Sequence, residues 1–99
     1  MEEYTEIVLD LTGCQYLGEI HNRIKKTFAF PDYYGETWDA FLDAFRIVGV
    51  PDKIVIKGED SLPEELLAHL EGMHRTLEYI RKEVERLGQV FSFEVVDYK

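Results

Sequence analysis

Apolar residues fall into short runs of two kinds. Residues 5–11 (TEIVLDL) gather Ile7, Val8, Leu9 and Leu11 into a largely β-branched run closed by Thr12-Gly13, the pattern of a buried strand. Leu17, Ile20, Ile24 and Phe28 then recur every three or four residues, which predicts a helix over about 16–29 with one apolar stripe. Pro31 and Gly35 punctuate the loop FPDYYG. Trp38, Phe41, Leu42 and Phe45 at i, i+3, i+4, i+7 predict a second helix, stopped by Gly49 and Pro51. Lys53–Lys57 (KIVIK) reads as a second strand. Ser61, Pro63 and Glu64-Glu65 suit a third helix start, with Gly72 as its end. A fourth helix is expected from Met73, with Leu77, Ile80, Val84 and Leu87 on one face and Gly88 as its C′ residue. Residues 90–96 (VFSFEVV) alternate as a strand with one apolar and one mixed face.

The resulting order is β-α-α-β-α-α-β. Crossovers of more than 30 residues make the strands parallel. The expectation is a single α/β domain over 1–99: a small three-stranded parallel sheet covered on one side by about four helices. The length of 99 residues leaves no room for a second domain.

Composition narrows the function. Eleven basic against 20 acidic residues give a net charge of −9, which disfavours nucleic acid and anionic membrane as partners and suits a basic protein. No apolar run approaches the roughly 20 residues of a membrane span, and the start of the chain lacks a leader pattern. Cys14, the single cysteine, has no partner for an internal disulfide, so a reducing, cytoplasmic compartment is expected; a buried apolar role at the strand-to-helix turn suits it better than catalysis.

The charge is unevenly placed. Between Lys26 and Arg46 there is no basic residue, but there are four acids (Asp32, Glu36, Asp39, Asp43) and seven of the 13 aromatics (Phe28, Phe30, Tyr33, Tyr34, Trp38, Phe41, Phe45). Aromatics beside uncompensated carboxylates resemble an interface hot spot. At about 100° per residue, Asp39 and Asp43 lie roughly 100° to 140° around the helix from Trp38, stacked on one face. Such like-charge neighbours repel by about 0.2–0.5 kcal/mol per pair, with Arg46 placed to neutralise one of them. The stripe reads either as a docking face for a cationic partner or as an ordinary acidic solvent face. Trp38 and Leu42 border it and suit either core or contact.

The run FPDYYGETWDAFLDAF resembles the signature of the barstar family, intracellular inhibitors of secreted bacterial ribonucleases. Pro31, Asp32, Tyr33-Tyr34-Gly35, Asp39-Ala40 and Asp43 match its motif without a gap, and the element order fits along the whole chain. The family fold, a three-stranded parallel sheet with packed helices, agrees with the reading above. The resemblance implies a 1:1 complex with a basic bacterial ribonuclease, with immunity against that enzyme as the biological role. It implies that Asp43 replaces substrate phosphate in the enzyme, that Asp39 pairs with further basic groups and that Tyr33 packs on a catalytic histidine. Aligning Gly88 places a further contact at Glu83. The expected partner surface is therefore Tyr33 and Gly35 in loop 31–35, Trp38, Asp39, Leu42, Asp43 and Arg46 on helix 36–46, and Glu83. Leu42 stands where the best-known member has tryptophan, and Arg46 adds a positive charge where a small polar residue is usual, so a different cognate enzyme is expected.

Two other function classes compete with this reading. A hydrolase using Asp39 and Asp43 as a carboxylate pair has about the right separation, but both project from one helix face, whereas acid and nucleophile must flank the bond. A protein-interaction or regulatory module on the same fold, binding a basic protein other than a ribonuclease, stays open. No cofactor or metal is expected: His21, His69 and His74 are scattered, and His69 and His74 read as surface or boundary residues.

Overall fold

The computed structural model describes residues 4–96; residues 1–3, which enter the leader argument, lie outside the described residues. Three five-residue strands, β1 (Glu6–Asp10), β2 (Lys53–Lys57) and β3 (Ser92–Val96), pair in parallel in the order β1-β2-β3. Two helices, α1 (Leu17–Phe28) and α2 (Trp38–Val48), connect β1 to β2. A single 3-10 turn (Glu59–Ser61) and α3 (Glu64–Arg86) connect β2 to β3.

The register explains the one-sided layer. Ile7–Ile54–Phe93 and Leu9–Ile56–Val95 stand in cross-strand rows, and Leu9, Ile54 and Ile56 are buried among the helices. The intervening rows carry Glu6, Val8, Asp10, Ser92 and Glu94 to solvent, where Lys53 Nζ lies 3.1 Å from Glu94 Oε1. A sheet with one solvated face needs one helical layer; the 21 Å shortest dimension suits two layers.

The helix count corrects the sequence reading. Residues 64–86 form one helix of 23 residues, not two. Glycine inside a helix costs about 1 kcal/mol relative to alanine, but its missing side chain is used here. The Trp38 ring of α2 lies where a Cβ on Gly72 would stand, and Trp38 Nε1 donates to the His69 carbonyl at 3.2 Å. The stripe Leu66, Leu70, Met73, Leu77, Ile80 and Val84 also runs through Gly72 without losing phase. Gly88 does act as C′: at φ 81° its N–H reaches the Glu85 carbonyl (3.0 Å), and Gln89 N–H reaches that of Val84 (2.8 Å), closing the helix as a Schellman turn. Cys14 is fully buried, and burial pushes its thiol pKa up.

The aromatic-rich window also resolves differently from the expected hot spot. Phe28, Phe30, Phe41 and Phe45 are buried and mutually packed, Phe45 lying 4.9–5.1 Å from the other three ring centres in edge-to-face contacts. This cluster clamps α1, the following loop and α2 together. Of the seven rings, only Tyr33 is largely exposed.

Candidate functional site

The site begins where α1 ends. Ala29 takes the left-handed conformation (φ 55°), and Phe30 N–H returns to the Lys25 carbonyl at 3.0 Å, turning the chain into the loop 30–37. Tyr34 N–H closes a turn onto the Pro31 carbonyl at 3.0 Å. Asp32 lies 3.5 Å from Lys25 Nζ. Thr37 caps α2, its hydroxyl accepting from Ala40 N–H at 3.1 Å. Phe41 and Phe45 fix the inward face of α2, so helical geometry sends Asp39 and Asp43 outward.

Both aspartates are exposed. Asp43, with its side chain 70% accessible, meets one cation, Arg46, at 3.3 Å. Among the described residues, Asp39 and Glu36 form no ion pair. Neither aspartate is shielded or locked to an internal base. Tyr33, Tyr34, Gly35 and Pro31 join Ala40, Asp43, Ala44 and Ile47 around a recess of about 160 Å³, so the loop and Asp43, apart in sequence, share one concavity. Tyr33 is 77% exposed at its wall.

The remaining expected residues lie elsewhere on α2 or on α3. Leu42 is half-buried and faces a second recess of about 170 Å³, between α2 and α3, with Arg46, Tyr79, Glu83 and Leu87 among its lining. Glu83 shares this groove with Leu42 and Arg46, not the Tyr33–Asp43 recess, and pairs with Arg86 at 3.1 Å. Trp38 packs on α3 at Gly72, with its N–H engaged by His69.

The fold joins the scattered histidines to partners the spacing did not reveal. His21 is buried, 1% exposed. Its Nδ1 lies 2.8 Å from Tyr34 Oη and its Nε2 3.2 Å from His69 Nε2. The Trp38 ring packs against both imidazoles, with centroids 4.8 Å apart in each case. Burial, reinforced by the neighbouring His69, holds His21 below its ordinary pKa against the pull of Glu36; burial alone does so for His69. Burial first, then the charge of Glu36, pushes the Tyr34 phenol far up, so Tyr34 stays protonated. On the other side of α3, His74 Nε2 meets the buried Glu59 carboxylate at 2.7 Å; that hydrogen bond raises the His74 pKa despite burial. The signal available for His21–His69 was two histidines on helix faces that both point toward the Trp38 end of α2, legible only once the helices are docked.

A family model described as Barstar (barnase inhibitor) matches residues 4–96, nearly the whole chain. No curated protein matches it. The chain belongs to the barstar family.

Proposed function

We propose that this chain inhibits a basic bacterial ribonuclease in the cytoplasm, as a 1:1 complex in which α2 and the loop before it occlude the RNA-binding cleft. The observation that carries the reading is the shared concavity: Tyr33, Gly35 and Asp43 border one recess, and Asp39 and Asp43 stand exposed on the adjoining helix.

A ribonuclease cleft must present arginine, lysine and a catalytic base to a polyanion. Carboxylates on a rigid helix satisfy the same donors, bidentately where an arginine aligns. Preorganisation favours the complex, because the helix and its four-phenylalanine support are in place before the partner arrives. The net charge of −9 steers a basic enzyme toward the acidic face and raises the association rate at low salt. The Asp43–Arg46 contact is an exposed pair, a type worth about 0–1 kcal/mol, so several cations in a desolvated cleft displace Arg46 from Asp43. Arg46 then remains beside Leu42 at the second groove, where it discriminates among enzymes by the charge they bring there. An enzymatic role for Asp39 and Asp43 is not proposed: both leave the same helix face into open solvent.

The test uses the immobilised chain. We expect it to capture a protein with ribonuclease activity from its source cell, the Asp43→Ala chain to capture far less, and Glu85→Ala to behave like the parent. Glu85 is exposed and pairs on its own helix with Arg81 at 2.8 Å. Equal losses for the two variants in titration calorimetry would remove Asp43 from the centre of the interface. A captured basic protein without ribonuclease activity would replace this reading with a different interaction module.

A further inference from the structure

The buried cluster behind the loop is a chain of three groups. Tyr34 Oη carries its proton and lies 2.8 Å from His21 Nδ1, and His21 Nε2 lies 3.2 Å from His69 Nε2. With both rings neutral, the bonds run either from the Tyr34 hydroxyl through His21 Nε2–H to His69 or, reversed, from His69 Nε2–H through His21 Nδ1–H to Tyr34, and both directions satisfy the cluster. The ring centroids of the two histidines are 5.5 Å apart, longer than the nitrogen separation by about two ring radii, as expected of a head-to-head hydrogen bond along the line joining the rings.

This chain of bonds tolerates one proton and rejects a second. If His21 is protonated, both its nitrogens donate, and the Tyr34 hydroxyl turns to accept. If His69 takes the proton instead, its Nε2–H donates back to His21, which shifts to the Nδ1–H tautomer and donates to Tyr34. With both rings charged, two N–H groups face each other across the same gap, and no tautomer restores the bond. The charged and titratable groups around the pair are Tyr34 and Glu36 from the loop and His69 from α3 against His21, with Glu65 and the Tyr16 phenol in the groove that His69 borders; α2 contributes the uncharged Trp38. Glu36 favours a proton on His21, and repulsion from the neighbouring His69 opposes two imidazolium rings at once.

We propose that His69 is a positioning residue for the partner-facing surface: through His21 it holds Tyr34, and with it the loop carrying Tyr33 and Gly35, only while the imidazole pair binds at most one proton. Affinity for the partner then falls on acidification by a step separate from titration of Asp39 and Asp43. The proposal rests on the inhibitor reading for its biological meaning; the placement of the loop is measurable without any partner.

Trp38, the single tryptophan of the chain, and the backbone amides of Tyr33, Tyr34 and Gly35 report on the cluster. In a pH titration of the parent chain followed by NMR, with tryptophan emission alongside, these amides are expected to shift together at a midpoint below the ordinary imidazole value while the amides of β2 stay put. His69→Gln keeps a hydrogen-bonding partner for His21 without a second titrating ring, so the loop transition should vanish. His69→Ala should displace the loop amides already at neutral pH and weaken ribonuclease binding about tenfold, the scale of one lost buried hydrogen bond, and glutamine should restore it. Loop amides indifferent to His69→Ala, or an acid transition surviving unchanged in His69→Gln, would overturn the proposal. With the ribonuclease captured from the source cell as the probe enzyme, absence of inhibition at every pH would count against the ribonuclease reading, and the amide titration would still decide the role of His69.

Discussion

The two faces of α2 are built from the same eleven residues and do opposite things. The inward face, Phe41, Ala44 and Phe45, is buried and locks against Phe28 and Phe30; the outward face, Asp39 and Asp43, opens to solvent beside Tyr33. The inward face stabilises the fold at its partner's expense in no way, and the outward face adds like-charge repulsion that the fold has no use for. On the proposed function, stability and recognition fall to different side chains one residue or two apart, so each is open to change without the other.

That separation is testable as a double dissociation. Phe41→Ala removes a fully buried ring and should destabilise the chain by about 3–5 kcal/mol in urea, with the affinity of the remaining folded fraction unchanged. Asp43→Ala should do the reverse: affinity for the ribonuclease falls by about 2–5 kcal/mol, while the urea midpoint holds or rises slightly as repulsion with Asp39 is relieved. If Asp43→Ala unfolds the chain, or Phe41→Ala leaves it intact, the two faces are not independent.

A smaller effect sharpens the comparison at the point where α2 meets α3. On an exposed helix Gly→Ala gains about 1 kcal/mol. Gly72→Ala should instead destabilise by about 1–3 kcal/mol, because the new methyl collides with the Trp38 ring and overpacking carries that penalty. A stabilised variant in thermal melts would show that Trp38 is free to move.

The last test is one of sign. His74 has a raised pKa through Glu59, so its contribution to stability is complete below the ordinary imidazole value and fades as pH rises through the raised value. His21 and His69 have lowered values, so theirs is present above the ordinary value and is lost as pH falls through the lowered ones. The stability gap between the parent and Glu59→Gln should therefore be wider at mildly acidic than at alkaline pH; the gap for His69→Gln should not follow that sign. Urea titrations at two pH values measure both.

How much of this was readable in the chain depends on the range of the interaction. Strand periodicity at residues 5–11 and 53–57, the α1 and α2 stripes and the Gly88 stop are local patterns, and they led to three parallel strands under a one-sided helical layer. The acidic stripe of Asp39 and Asp43 follows from helical spacing alone, as does its distance from the Phe41 face. Gly72 misled because a glycine's usual effect in a helix is destabilising, and the compensating ring of Trp38 comes from 34 residues earlier in the sequence. The aromatic count misled for a related reason: composition says how many rings a segment holds, while only docking of α1 on α2 decided that four phenylalanines close on one another and leave Tyr33 outside.

The sequence alone determined where the three strands and the α1 and α2 stripes lie and which charges share a face, because backbone periodicity and side-chain spacing are properties of neighbours. The tertiary structure alone decided that Tyr33 and Asp43 border one recess, that Glu83 belongs to a different groove, and that His21 finds Tyr34 and His69. Those pairings depend on how rigid elements pack, and packing is settled by shape complementarity across the whole core rather than by any segment of it.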